Sequence, residues 1–574
     1  MPGQALRYLV VTSRQVVDQG WIVHISLPML THRLSPAFAQ PLQGELAVIT
    51  RTTGYKLRRA AALTLACGVI TTSGAAPAQA SLLGGLLGTV GGLVGGLVGV
   101  VSTALDTTTG LLTGADWGYS STQTSMGLVN QTVGADTVQG RGYTGKGVGV
   151  ALIDSGVVPV QGLTSGNVVN GPDLSLDNPS LQLANNDGFG HGTHMAGIIA
   201  GNDGTSTGFK GVAPGAKLLS VKVGAYDGAV DVSQVIAGID WVVQHRNDNG
   251  MNVRVINLSY GTNGVQSYQL DPLAAAVEHA WQAGIVVVVA GGNSGTSTTS
   301  LDNPATDPFV ISVGADDPNG TANELDDTIP DFSSRGSSSR HVDLVAPGQS
   351  IVSLRNPGSV IDVEYPKAVV NTRYFKGSGT SQATAVVSGA VALLLQQHPT
   401  WTPDQVKAAL TSTATPLLQA GAQARGAGLL DVVAASAAVP LASTQTFTKS
   451  SGLGSLDSAR GTQHIGDAGT DLTGEQDIFG SPWHASTWAA ASAAHTAWNG
   501  GTWNGNVWLG TCWCTTTWAG TSWTGHVWSG DDWAGHVWSG HVWSGESWDG
   551  HVWSGSGWSG HVWSGHVWSG SQWA

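Results

Sequence analysis

Three short segments, read in order, constrain this 574-residue chain more than any other feature. They are Ala151-Leu152-Ile153-Asp154-Ser155-Gly156, His191-Gly192-Thr193-His194 and Gly379-Thr380-Ser381-Gln382-Ala383-Thr384. The first is small and apolar from Gly147, reads as a buried strand ending at Asp154, and breaks at Gly156. The second leads into a short apolar helix reaching about Ala200. The third opens a helix to about Gln397, stopped by Pro399, which puts Ser381 at a helix N-terminus. There the helix dipole favours developing negative charge. A serine hydroxyl alone is a poor nucleophile. It needs a base to take its proton, and the base needs a carboxylate to hold its tautomer and stabilise its charged form. Asp154, His191 and Ser381 are residues of those three kinds.

A fourth segment lies between them. Val286-Val287-Val288-Val289-Ala290-Gly291-Gly292-Asn293-Ser294-Gly295 reads as a buried strand running into a Gly-rich turn. Val255–Gly261, Gly211–Pro214, Phe332–Gly336 and Asp343–Gly348 add further motifs. Carried by these segments, the chain resembles the subtilisin-like serine proteases over roughly residues 118–440. The resemblance implies an α/β fold of three layers with a mostly parallel central sheet. It implies a peptide-cleaving triad of Asp154, His191 and Ser381, with Asn293 and the Ser381 backbone N–H holding the oxyanion. Ser259, Tyr260, Gly261, Ala290, Gly291 and Gly292 are then expected to line the substrate cleft. Aligning Asn303-Pro304-Ala305 with the family's pocket segment puts Asp302 near the base of the pocket for the P1 residue. Proteins or peptides are the implied substrates, and no cofactor is required. Calcium is common in the family, but the loop Asn202–Gly208 keeps few ligands in the usual places. A structural calcium is left open and no metal ligand is assigned.

Each motif alone has a plainer explanation. An Asp at a strand end or a Ser at a helix start usually caps. His194, three residues past His191, reads as a structural neighbour. Joint occurrence with Asn293 is what argues against an all-structural account, which would leave a silent protease used as a scaffold. Three departures from the family stand out. Gln382 follows the serine where Met is common, which removes an oxidisable thioether. Ala385 and Val386 replace a Pro-His pair, a change of packing. No stretch has the αβ pattern and length of the folded pro-domain that secreted members often carry.

Composition sets the outer limits. The net charge of −14 argues against a nucleic-acid partner. Cys67, Cys512 and Cys514 offer no disulfide framework. Lys56–Arg59, the apolar run Ala60–Ile70 and Ala78-Gln79-Ala80 together read as a secretory signal peptide over 55–80. Residues 1–54 before it are then either not made or a cytoplasmic extension. The Gly/Leu/Val-rich segment 81–117 carries no charge before Asp106, and its stretch 82–101 is long enough to touch or span a membrane. Its glycines at 84, 88, 92 and 96 suit helix packing in lipid, or equally a flexible spacer. The expected location is outside the cell, secreted or held at the surface.

After Pro440 the composition shifts. Residues 441–482 are polar and small, a linker or a small accessory segment. Over 483–574 runs a low-complexity Trp-x-Gly-x-x repeat, with Trp at every fifth position from 498 to 573. A period of five suits neither a helix nor a flat strand. A solenoid with a corner at each Gly is one solution, and a disordered or merely structural repeat is another. Trp rows on the outside would offer cell-wall or glycan contact through 498–573.

Overall fold

A computed structural model describes residues 124–508, apart from 176, 178–183, 297, 441–443, 468 and 469. The assignments made for 1–54, 55–80 and 81–117, and the repeats beyond Trp508, lie outside the described residues. Among the described residues no helix is long and apolar enough to cross a membrane.

Seven strands, most of them apolar, build the central sheet. They are β1 (Gly149–Asp154), β2 (Val168–Asp173), β3 (Lys217–Lys222), β4 (Val253–Leu258), β5 (Val286–Ala290), β6 (Ile311–Asp316) and β7 (Leu344–Pro347). Their order is β2-β3-β1-β4-β5-β6-β7, and every pairing is parallel. Parallel strands covered on both faces read as unbroken apolar runs. That is why Gly149–Ile153 and Val286–Ala290 are wholly buried.

Four of the longer helices cover the sheet on its two faces. α1 (His191–Ala200) and α4 (Thr380–Gln397) pack on each other, and α4 lies across β4, β5, β6 and β7. α2 (Val232–His245) and α3 (Pro272–Gln282) pack on each other and on β1 and β5 respectively. The result is the three-layer α/β architecture expected. The chain leaves β1 toward β3 and β2, then returns to the other side for β4 to β7. Crevices outside the carboxyl ends of strands at such a reversal are where open α/β sheets bind ligands.

Residues 441–482 are not a bare linker where described. A short helix, Leu456–Arg460, buries Leu456, Ala459 and Arg460. The Arg460 guanidinium reaches Asp231 at the N-cap of α2, with Nε donating to Oδ2 at 2.6 Å and Nη2 to Oδ1 at 3.2 Å. A further helix, Ala485–Ala493, packs on α3. The first repeats then form a small antiparallel meander, Trp498–Asn499, Thr502–Trp503 and Asn506–Val507. Two-residue turns at Gly500-Gly501 and Asn504-Gly505, all with positive φ, join these strands. Asn-Gly and Gly-Gly are the residues that such tight hairpin turns favour. A short strand plus a two-residue turn is how a five-residue period is accommodated here.

The indoles of these repeats face inward. Trp483, Trp488, Trp498 and Trp503 are all buried. Trp488 and Trp503 both donate Nε1–H to Asp240 Oδ2 on α2, at 2.9 and 3.0 Å, and Trp498 donates to Ala237 O at 2.9 Å. The expectation of outward Trp rows therefore does not describe this part of the repeat.

Candidate active site

Three adjacent strands deliver the site at their carboxyl ends. β1 ends on Asp154, β4 runs into Ser259-Tyr260-Gly261, and β5 runs into Gly291-Gly292-Asn293. α1 begins with His191, and α4 carries Ser381 in its first turn. Asp154, His191, Ser381 and Asn293 are each buried.

The Asp154 carboxylate accepts from His191 Nδ1 at 2.7 Å. It also accepts the Ser155 backbone N–H at 2.7 Å through the same oxygen. Donation from Nδ1 places the imidazole lone pair on Nε2, the nitrogen a nucleophile's proton would reach. His194 takes no part in this. It is buried with Nε2 donating to Phe375 O at 3.0 Å, and burial pushes its pKa down to about 3, so it stays neutral.

The start of α1 is held by a residue that the sequence reading passed over. Asp187 accepts the backbone N–H groups of Gly190 at 2.6 Å and Thr193 at 2.8 Å, and the Ser155 hydroxyl at 2.7 Å. Ser155 Oγ in turn accepts Gly192 N–H at 3.0 Å. One buried carboxylate thus ties the end of β1 to the first turn of α1. Burial raises its pKa, against the hydrogen bonds that favour the ionised form. An Asp just ahead of an expected helix start was the available signal.

Ser381 is fixed through its neighbours. Its carbonyl accepts from Ser259 Oγ at 3.1 Å, and Ser259 itself accepts from Asn257 Nδ2 at 3.0 Å. Asn293 Oδ1 accepts the Thr380 N–H at 2.9 Å, which directs the donor end of that amide away from Thr380. Gly292 N–H reaches Thr380 Oγ1 at 3.3 Å. Gln382 is fully buried, and neither amide atom has a hydrogen-bond partner among the described residues.

The cleft-lining segments behave unequally. Tyr260 is buried, so its ring is not available at the surface beside Gly261. Thr262 and Asn303 pair as an antiparallel bridge, with N–H to O distances of 2.9 and 2.7 Å, and Asp302 N–H donates to Gly291 O at 3.2 Å. The loop 302–303 is therefore tied by backbone hydrogen bonds to both the Thr262 and the Gly291 segments. Asp302 is half-buried, and burial pushes its carboxyl up to about 7. A structural calcium outside the loop Asn202–Gly208 stays open, and that loop was expected to keep few of the usual calcium ligands. Its one carboxylate, Asp203, is engaged by Arg373 through both oxygens and by Phe209 N–H, so that loop is not fitted to a cation.

The parallel sheet and these contacts bring Asp154, His191, Asn293 and Ser381 to the carboxyl ends of adjacent strands and the starts of two helices. Comparison with known proteins is more specific. Residues 145–430 match the Subtilase family, and the chain belongs to that family of serine endopeptidases. Serine protease AprX of Bacillus subtilis (strain 168) is 41% identical over 275 residues, covering 47% of this chain and 61% of AprX. Subtilisin DY of Bacillus licheniformis is 38% identical over 303 residues, covering 52% of this chain and 95% of its own length. Among solved structures, fervidolysin from Fervidobacterium pennivorans, a keratinolytic enzyme related to subtilisin, aligns at 28% identity. That alignment has a TM-score of 0.44 and covers 54% of this chain and 45% of fervidolysin.

Proposed function

We propose that this protein hydrolyses peptide bonds in proteins through Asp154, His191 and Ser381. The observation that carries the proposal is the buried contact of 2.7 Å between His191 Nδ1 and Asp154, at the strand end beside the Ser381 helix. Ser381 Oγ attacks the scissile carbonyl while His191 Nε2 takes its proton. The oxyanion is held by the Asn293 amide and the Ser381 N–H, donors that need no reorganisation during the step. Collapse expels the amine, which takes the proton back from His191 and leaves an acyl-enzyme. Water, deprotonated by His191, then releases the acid and restores Ser381. Asp154 orients His191 and stabilises its charged form throughout.

Export is part of the proposal, resting on the signal-peptide pattern of 55–80. Surface retention, through 82–101 or through the repeats beyond Trp508, is the second component. N-terminal sequencing of protein recovered outside cells tests the first. Deleting 509–574 and comparing cell-bound with free protease tests the second.

A fluorophosphonate probe tests the core of the proposal. Labelling of the wild type with none of Ser381→Ala is the expected result. A folded wild type that fails to label would overturn it and leave a silent scaffold.

A further inference from the structure

We propose that the facing carboxylates of Asp316 and Asp327 hold a calcium ion, at the end of β6 and behind the turn that carries Ser381. The site is separate from the loop Asn202–Gly208 and from the catalytic groups.

Burial without donors is the first argument. Asp316 is 0% exposed and Asp327 is 1% exposed. The two side chains lie within hydrogen-bond reach of each other. All four of their oxygens are buried with no donor among the described residues. A buried carboxylate normally replaces its lost hydration with N–H or O–H groups or with a cation. Asp187 does so through two backbone N–H groups and a hydroxyl, and Asp231 through Arg460. At Asp316 and Asp327 only acceptors meet. Gln349, which donates its N–H to Asp316 O at 3.2 Å, likewise has a buried Oε1 without a partner.

Charge is the second argument. Asp317 repels both carboxylates, and Glu324 and Asp326 repel Asp327. No Lys or Arg acts on either of the pair. Such a group is neutralised by a shared proton or by a metal ion. One shared proton engages two of the four oxygens, whereas a cation can engage all four. The donors also select the metal. Among the described residues no third His, Cys, Asp or Glu side chain joins the pair, so carbonyl oxygens and water would complete the shell. An all-oxygen shell of loose geometry suits calcium, while magnesium demands a stricter octahedron.

Position gives the ion a task. The Asp316 carbonyl accepts the Gly348 N–H at 2.8 Å, and Gly348 O accepts the N–H of Gly379, two residues before Ser381, also at 2.8 Å. Asp317 and Thr328 pair as an antiparallel bridge at the two ends of the loop that leads to Asp327. An ion between Asp316 and Asp327 therefore pins this loop to the strand that supports the nucleophile's turn.

The test uses the full chain with Ser381→Ala, which removes self-digestion, after dialysis against EDTA. Calcium chloride is titrated into it by calorimetry, beside the same protein carrying Asp316→Asn and Asp327→Asn. The double Asn protein is expected to bind one calcium fewer than its parent. Thermal melts supply a readout of opposite sign. Facing amides provide the donors that facing carboxylates lack, so in EDTA the Asn protein should melt above its parent. About 5 mM calcium should raise the parent's melting temperature by several degrees more than that of the Asn protein, and magnesium should do less. Asp327→Asn alone, with the same expected loss of one ion, serves if the double variant does not fold. A parent that binds no calcium, or equal calcium stoichiometry and equal shifts in the two proteins, overturns the site and leaves a carboxyl pair that shares a proton.

Discussion

At the scale of single residues, the site separates groups that react from groups that hold. In the proposed step Asn293 holds the oxyanion, so Asn293→Ala should cut kcat by about 10²- to 10³-fold and leave KM nearly unchanged. That magnitude is carried over from a subtilisin, itself a relative of this chain. Asp154→Asn, which leaves shape but inverts the preferred tautomer of His191, should cost about 10⁴-fold in kcat, as in other Asp-His-Ser triads. Steady-state kinetics on one anilide checks both. Gln382 poses a different question, because a buried amide with no partner on either end is costly. Gln382→Met should raise the free energy of unfolding by about 1–3 kcal/mol and make activity sensitive to peroxide. Equal urea midpoints in the two proteins would remove the stability half of that expectation.

At the scale of elements, the catalytic geometry depends on how closely α1 approaches the end of β1. Gly192 lies in that contact, and a Cβ there would stand 2.1 Å from Gly156 O. Ala in place of Gly within a helix normally stabilises by about 1 kcal/mol. Here Gly192→Ala should do the reverse, costing about 1–3 kcal/mol through overpacking and lowering kcat by moving His191. A variant with unchanged melting temperature and kcat would contradict the tight approach. Asp187 acts on the same contact from the other side, gathering Gly190, Thr193 and Ser155.

At the scale of the whole molecule, the described part of the C-terminal extension is bound into the catalytic domain. Arg460 is wholly buried against Asp231. Desolvation pushes Asp231 up, but the charge and hydrogen bonds of Arg460 outweigh it and hold the carboxyl below its usual range. Arg460→Ala leaves that carboxylate buried and unpaired, a loss expected to be about 3–5 kcal/mol. Truncation after Trp508, by contrast, should leave peptide hydrolysis intact. The acids also set a pH dependence. Burial raises Asp227, Asp302, Asp307, Asp327 and Glu364 to about 7 and Asp240 to about 6. Such groups take up protons on folding, so their effect is to lower stability as pH rises from about 4 to 7. His194 and His279, lowered to about 3 and about 4, work in the opposite sense below pH 6.5 but are fewer. The Ser381→Ala protein should therefore melt at a higher temperature at pH 5 than at pH 7.

What could be read without the structure was whatever is local. Gly149–Asp154 and Val286–Ala290 declare buried parallel strands because covering both faces removes every polar position. Small residues around Asp154, His191, Asn293 and Ser381 mark the places where backbone must come close. Asp187 was not legible as a tie, because its partners come from β1 and α1 together. Nor was the role of Arg460, since its counter-charge lies more than two hundred residues away in sequence. The inward turn of Trp488, Trp498 and Trp503 was likewise hidden. A five-residue period sets where indoles recur along the chain, while the acceptors on α2 determine which way they face. Local pattern thus determined the strands, the helix starts and the reactive side chains. Only the tertiary structure decided which distant charges and donors meet, because burial makes each of them depend on its partner.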